Sequence, residues 1–282
     1  MSEPGHSIGI VVLAGGVGAR MGGGKPAKPF DGKSLLDATL TRLLPQAPVL
    51  ALSGEPQFLE GLGFEVLADD SPEKLGPMAG LAAALRWANA RNLSHVLTAP
   101  CDAPFLPENL VQRLNAAIGS ASVCVARSGG EVHVASSLWS VALLPEVLVH
   151  LAKGQRALKR LIAACETRIV DWEAEPLDPF FNINTPLDLF LAGTMLRING
   201  TPQVLDLRGL KCPLPALKTS KWLSQPGPLC LVVFCTDPMA QIDIPHAISQ
   251  AGAFLVRQGF SEGVLMFEIT RQDQSAGLKR QT

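Results

Sequence analysis

The stretch IGIVVLAGGVGARMGGGK, residues 8–25, constrains this chain more than any other. A short β-branched run ends in a loop that holds six glycines, the two cations Arg20 and Lys25, and no carboxylate. An apolar run closed by glycine predicts a buried parallel strand whose carboxyl end opens into a loop made almost wholly of main chain. Main-chain N–H groups in such a loop can approach a ligand with no Cβ in the way. A phosphate cradle is one reading. A glycine-rich turn with two solvated cations is the other.

The pattern beyond the loop selects a fold class. Residues 34–44 read as a helix, with Ser34 as N-cap and Asp37 completing a capping box. Strands are expected at 49–52, 64–68 and 95–99, and helices at 56–62, 79–89 and 107–118. Such alternation predicts an α/β chain with a doubly wound, mostly parallel sheet, whose ligands bind at the carboxyl edge. Residues 122–127 and 132–139 read as an antiparallel addition, followed by helices near 144–151 and 155–164. The segment DPFFNINTPLDLFLAGTM reads as a strand, an Asn-rich turn and a helix.

The pattern then restarts. RINGTPQ, residues 197–203, reads as a linker between a first domain at 1–196 and a second at 204–282. The second shows a β-α-β-α-β-β order, a small two-layer domain with strands at 204–207, 229–235, 254–258 and 263–269, and its second helix starts near Ile244.

Composition narrows the classes. Hydrophobic residues make up 47% of the 282 and charged residues 17%, which is enough for a sizeable core. A net charge of −1 gives no field that would draw in nucleic acid or anionic lipid, so neither is expected as a partner. No apolar run approaches the roughly 18 residues of a membrane span. The amino end lacks the basic region of a signal peptide. Six scattered cysteines, two of them beside proline, argue for reduced thiols and a cytoplasmic location.

Two familiar glycine loops fail here. A P-loop requires G-x-x-x-x-G-K-[ST], but Ala19 stands five residues before Gly24 and Pro26 follows Lys25. A dinucleotide fingerprint from Gly16 and Gly18 needs a glycine where Met21 stands. What remains, L-A-G-G-x-G-x-R-M-G and a lysine, resembles the nucleotidyltransferases that activate sugars and cofactors with nucleoside triphosphates. In that resemblance Gly15, Gly16 and Gly18 admit the triphosphate to the main chain. Arg20 and Lys25 neutralise the charge that moves onto pyrophosphate.

Three more stretches agree in order. GPMAGL, residues 76–81, looks like the family's substrate-side loop. APCDAPFLP puts Asp102 just past a buried strand, and NINTPLDL puts Asn182 and Asn184 at another strand end. An aspartate and an asparagine at neighbouring strand ends suit a magnesium ion that keeps several waters. Taken alone, Asp102 could equally be a helix N-cap. L-A-G-G with P-C-D-x-P and F-x-N-x-N-T-P is similar to the molybdenum cofactor guanylyltransferase (MobA) family more than to its cytidylyl relatives, over about residues 8–194.

That resemblance implies a nucleotide-diphospho-sugar transferase-like Rossmann variant. It implies GTP contacts at Leu13, Ala14, Gly15, Gly16, Lys25, Ser53, Asp70 and Asp102, with Mg2+ at Asp102 and Asn184. It also implies the reaction: a phosphate of molybdopterin attacks the α-phosphorus of GTP and pyrophosphate leaves. The loop is one residue short before Lys25, so Lys28 competes for the phosphate-facing place. A family H-P pair is replaced by His133-Val134, and an ordinary strand histidine is the alternative there. Cys101 reads as packing. A cytidylyltransferase and a non-catalytic GTP-binding or sulfur-relay adaptor are the competing functions.

In the second domain LDLRGLKCPLPALKTSKWL sets Cys212 before a proline-started helix, beside Lys211. A helix amino end and a cation are expected to depress a thiol pKa. C-P-x-P, a lysine-bearing helix and the later TDPMAQIDIP resemble the TusA/SirA-like sulfur carriers over about residues 204–270. The resemblance implies a persulfide on Cys212, with a cysteine desulfurase and molybdoenzyme maturation proteins as partners.

Overall fold

The computed structural model describes residues 7–15, 21–46, 48–59, 61–67, 76–226 and 230–271. Of the expected site residues, Gly16, Gly18, Arg20 and Asp70 lie outside them. The chain divides into two compact units, Met1–Asn184 and Thr185–Thr282. The division falls earlier than the boundary read from sequence at residue 196, because the helix after the NINTP turn packs on the second sheet.

In the first unit β1 (Ile8–Leu13), β2 (Leu50–Ser53), β3 (Glu65–Leu67), β4 (His95–Pro100), β5 (Val123–Ser128), β6 (Glu131–Ser140) and β7 (Thr167–Trp172) form one sheet. Their order is β3-β2-β1-β4-β6-β5-β7. All neighbours pair in parallel except β6, which is antiparallel to both β4 and β5. Helices α1 (Leu35–Leu43) and α3 (Leu110–Ile118) cover one face, meeting Ile8, Ile10 and Val12 through Leu36, Leu40 and Leu114. Helices α2 (Pro77–Ala90), α4 (Leu144–Ala152) and α5 (Leu158–Ala164) cover the other, meeting Val11 through Leu81, Leu85, Val147 and Leu161. With both faces covered, the doubly wound class is established. Each fully buried aliphatic side chain contributes about 1.5–3 kcal/mol.

The Ser34 N-cap and its Asp37 capping box form as the sequence predicts. Other expectations shift. The Pro107 carbonyl closes a turn with the N–H of Leu110, and α3 starts only there. The helix expected at 56–62 is a single turn, Pro56–Leu59. Residues 178–184, expected to include a strand, join no ladder. Strand β7 was not anticipated: TRIVDW is an edge strand with Ile169 facing solvent, so it carries no apolar alternation.

The second unit opens with α6 (Pro186–Ile198), capped by Thr185 and Asp188 in a reciprocal box. Strands β8 (Gln203–Asp206), β9 (Cys230–Cys235), β10 (Phe254–Ser261) and β11 (Val264–Thr270) form a sheet ordered β8-β9-β11-β10. Helices α7 (Leu214–Leu223) and α8 (Ala240–Gln250) join them, completing the β-α-β-α-β-β order. Leu231, Val233, Leu265 and Phe267 pack with α7 and α8 residues Leu223 and Ile244. Val232, Phe234, Val264 and Met266 meet Phe190 of α6 instead. Buried Glu268, on β11, pairs with Arg197 of α6 and Arg257 of β10, and accepts from Thr194 Oγ1 at 2.9 Å. A buried charge this well partnered ties the helix to the sheet.

Candidate functional site

The carboxyl edge of the first sheet is level across three strands. Leu13 pairs with Ser53 on one side and with Pro100 on the other. One residue further, the N–H of Ala14 donates to the Ser53 carbonyl at 2.7 Å, and the N–H of Cys101 donates to the Leu13 carbonyl at 3.2 Å. The order β3-β2-β1-β4 turns outward in both directions from β1, so a topological switch lies between β1 and β4. Ligands of open α/β sheets bind at that crevice. The glycine loop leaves β1 here and Asp102 follows β4.

The loop's shape depends on bare backbone. Gly22, Gly23 and Gly24 all have positive φ, at 71°, 80° and 57°, and non-glycine residues adopt three such values in a row at steep cost. Gly54, just past β2, is packed so closely that a Cβ would stand 2.8 Å from the Ala14 carbonyl carbon and 3.0 Å from the Gly15 nitrogen. That approach fixes the main chain of Ala14 and Gly15 against the end of β2.

Asp102 is buried, and its chain position is fixed from two sides. Thr39 Oγ1 of α1 donates to the Cys101 carbonyl at 3.2 Å, and the N–H of Ile183 donates to the Asp102 carbonyl at 3.0 Å. Ile183 is fully buried, which leaves Asn182 and Asn184 on the opposite side of this extended segment. The Asn-rich turn therefore reaches the site without the strand expected before it. Asp102 Oδ2 is ion-paired with Lys25 Nζ, and the same ammonium donates to Asn184 Oδ1 at 2.9 Å. Asp102 Oδ1 is buried and, among the described residues, has no hydrogen-bond partner.

Buried carboxylate oxygens are nearly always satisfied, so Oδ1 marks a place for a cation or donor. Asp102 and Asn184 share one positive charge, supplied by Lys25, which stands where a metal ion would fit. Oxygen donors of this kind suit a hard divalent cation that keeps several waters. Among the described residues, no group of three or more His, Cys, Asp or Glu side chains is placed to hold a metal. The pair therefore fits a shared protein–substrate ion better than a cage. Lys28 takes a different position, its ammonium beside Gly22, 3.9 Å from where a Cβ would stand. Cys101 is buried, and burial with the neighbouring Asp102 charge pushes its thiol up to about 12, consistent with packing.

Beside the site, and sharing Asn182 and Pro100 with it, lies a cleft of about 630 Å³ that also presents His133, Lys159 and Phe180. Register slips on β6: Val125 pairs with Ser137 while Ala126 pairs with His133, so residues 134–136 bulge toward this cleft. His133 stacks on Phe180 at 4.6 Å between ring centroids. Its Nε2 lies 2.7 Å from Ser128 Oγ, which donates to Asp178 Oδ1 at 2.7 Å. That donation uses the hydroxyl's one proton, so Nε2 carries hydrogen and donates in turn. Burial holds His133 below the ordinary imidazole pKa, against the pull of Asp178 and Glu131. The histidine is legible in the sequence, whereas Ser128 and Asp178 become its neighbours only through the fold.

In the second unit Cys212 is exposed, its N–H donating to Asp237 Oδ2 at 2.8 Å and its Sγ to Asp243 Oδ2 at 3.2 Å. The expected depression of its pKa is reversed. The hydrogen bond to Asp243 and the charges of Asp243 and Asp237 push the thiol up. The cause lies in α8, which begins at Ala240, earlier than the start expected near Ile244, and brings Asp243 into its first turn. Asp237 Oδ1 accepts from the N–H of Met239 at 2.9 Å, an Asx-type turn just ahead of α8 that the D-P of TDPM signals in the sequence. Donors from Cys212 and Met239 hold the Asp237 carboxyl below its usual range.

A parallel sheet with a bare-backbone loop at its switch point, faced by an acid and a lysine, defines a nucleotidyl-transferring α/β enzyme. Residues 10–169 match the MobA-like NTP transferase domain, and residues 203–271 match sulfurtransferase TusA. The chain belongs to the MobA-like NTP transferase family, with a TusA-type domain following. A molybdenum cofactor guanylyltransferase of Nitrobacter hamburgensis is 40% identical over 198 residues, covering 67% of this chain and 95% of the relative. One from Rhodopseudomonas palustris is 42% identical over 187 residues, covering 64% and 89%. The crystal structure of molybdopterin-guanine dinucleotide biosynthesis protein A from Archaeoglobus fulgidus shares the fold, with a TM-score of 0.55 at 22% identity over 67% of this chain and 99% of that one. Among the described residues no helix is long and apolar enough to cross a membrane.

Proposed function

We propose that the first unit transfers GMP from GTP to molybdopterin or its molybdenum-loaded form, releasing pyrophosphate and leaving a guanine dinucleotide cofactor. The observation that carries this reading is the buried Asp102 Oδ1, without a hydrogen-bond partner among the described residues, with Lys25 shared between Asp102 and Asn184. The names of the relatives support guanine as the base and the molybdenum cofactor as the acceptor.

In this reading Leu13, Ala14 and Gly15 present main chain to the nucleotide, and Ser53 closes the same edge. Gly16, Arg20 and Asp70 keep the contacts assigned to them by family resemblance. A magnesium ion held by Asp102 and Asn184 would supply charge neutralisation for the triphosphate. Lys25, displaced from the carboxylate when substrate arrives, compensates the charge that builds on departing pyrophosphate. The acceptor occupies the cleft of His133 and Lys159, bringing its phosphate to the α-phosphorus from the Asn182 side. Positioning and charge neutralisation carry most of the rate, with no side-chain nucleophile.

The second unit is read as a persulfide carrier on Cys212, loaded by a cysteine desulfurase and serving the same cofactor pathway. Pyrophosphate release, measured with molybdopterin and either GTP or CTP, with and without magnesium, tests the reading. Turnover only with GTP and magnesium supports it. Preference for CTP assigns a cytidylyltransferase, and no turnover with either nucleotide assigns a binding adaptor.

A further inference from the structure

Cys212 does not sit in the electropositive setting that favours a standing thiolate. Its thiol donates to Asp243 Oδ2 at 3.2 Å, and its own N–H is held by Asp237, so the sulfur's direction is fixed on a carboxylate. Asp243 stands in the first turn of α8, and just ahead of that helix the Asp237 carboxylate accepts from the N–H groups of both Met239 and Cys212, so one local framework places both acids. Lys211 is the nearby cation, and its charge acts on Asp237.

Resting on the sulfur-carrier reading, we infer that Asp243 is the proton acceptor for sulfur transfer to Cys212. The Cys212 sulfur bonds to the terminal sulfur of a donor persulfide, R–S–SH, as the donor's S–S bond breaks and its electron pair leaves with R–S⁻. The thiol proton passes to Asp243 and then to the departing thiolate, giving Cys212–S–SH and R–SH with no net oxidation. The raised thiol pKa fits this arrangement: the group stays protonated and inert until a donor is aligned, and loses its proton only during attack. A carrier built this way resists stray oxidation and alkylation.

The test compares the full chain with Asp243→Asn and Asp243→Glu. Two rates are read: acceptance of radiolabelled sulfur from a purified cysteine desulfurase persulfide, and iodoacetamide alkylation of Cys212 at neutral pH. Alkylation follows the thiolate fraction alone. Asp243→Asn removes a charge that suppresses the thiolate, so alkylation rises several-fold while acceptance falls by about 100-fold, the lower end of a positioned base's contribution. Asp243→Glu recovers part of the acceptance. If Asp243→Asn accepts sulfur as fast as the parent or faster, or if both rates fall together without recovery in Asp243→Glu, the inference is overturned. Equal label on Cys212→Ala and the parent would remove the carrier reading itself, a different result from either.

Discussion

The N–H of Ile183 donates to the carbonyl of Asp102 at 3.0 Å, across 81 residues of chain, and that single bond brings the asparagine turn to the acid. On one side of it Lys25 links the two side chains that the turn and the acid present.

Asp102→Ala removes the buried carboxylate and leaves Lys25 with Asn184 as its side-chain partner among the described residues. Guanylyl transfer is expected to fall by about 1,000-fold, in the range of losing a preorganised charge partner, with the melting temperature within a few degrees of the parent. Steady-state pyrophosphate release and a thermal melt check both halves. Parent-like turnover in a folded variant contradicts the assignment.

Lys25 and Lys28 separate by position. Lys25→Ala is expected to lower kcat about 100-fold with GTP affinity changed only a few-fold, because its charge acts on the leaving group. Lys28→Ala, whose ammonium lies beside Gly22, is expected to keep kcat within about threefold. Kinetics and calorimetric GTP titration on both variants decide it, and a reversed order would give the role to Lys28.

Gly54→Ala tests the loop's support. A Cβ 2.8 Å from the Ala14 carbonyl carbon and 2.9 Å from its oxygen forces main chain to move, an overpacking cost of about 1–3 kcal/mol. Weaker GTP binding and a lower melting temperature are expected together. Unchanged GTP affinity would show that Ala14 and Gly15 do not hold the nucleotide.

His133 gives a pH signature. Burial depresses its folded pKa, so below the unfolded value near about 6.5 the unfolded chain binds the extra proton. Its contribution is therefore present above that pH and lost as pH falls through the folded value. His133→Gln is expected to lose less melting temperature between pH 7.5 and 5 than the parent. An imidazole NMR midpoint at or above the ordinary value would contradict this.

Much of this was legible in sequence because it is local. The Ser34 cap, the strand at Ile8–Leu13 and Asp102 at a sheet edge follow from residue type and short-range period. What escaped depended on distant partners. Strand β7 is held by pairing with β5 and leaves no apolar alternation to read. The turn at Asn182 and Asn184 is placed by Ile183 and the Asp102 carbonyl, not by a strand. The thiol's electrostatics are not legible in the sequence because Asp243 is far along the chain from Cys212 and reaches it only through the fold. The domain boundary moved for the same reason: α6 looks like the end of the first pattern, yet Phe190 and Arg197 bind it to the second sheet.

A crystal grown with GTP and manganese, read by anomalous scattering, tests the central claim most directly. The account expects the metal on Asp102 with Asn184 beside it, the triphosphate along the main chain of Ala14 and Gly15, and Lys25 drawn off the carboxylate toward phosphate. Nucleotide bound elsewhere, or Lys25 still paired with a metal-free Asp102 while GTP fills the crevice, would contradict it.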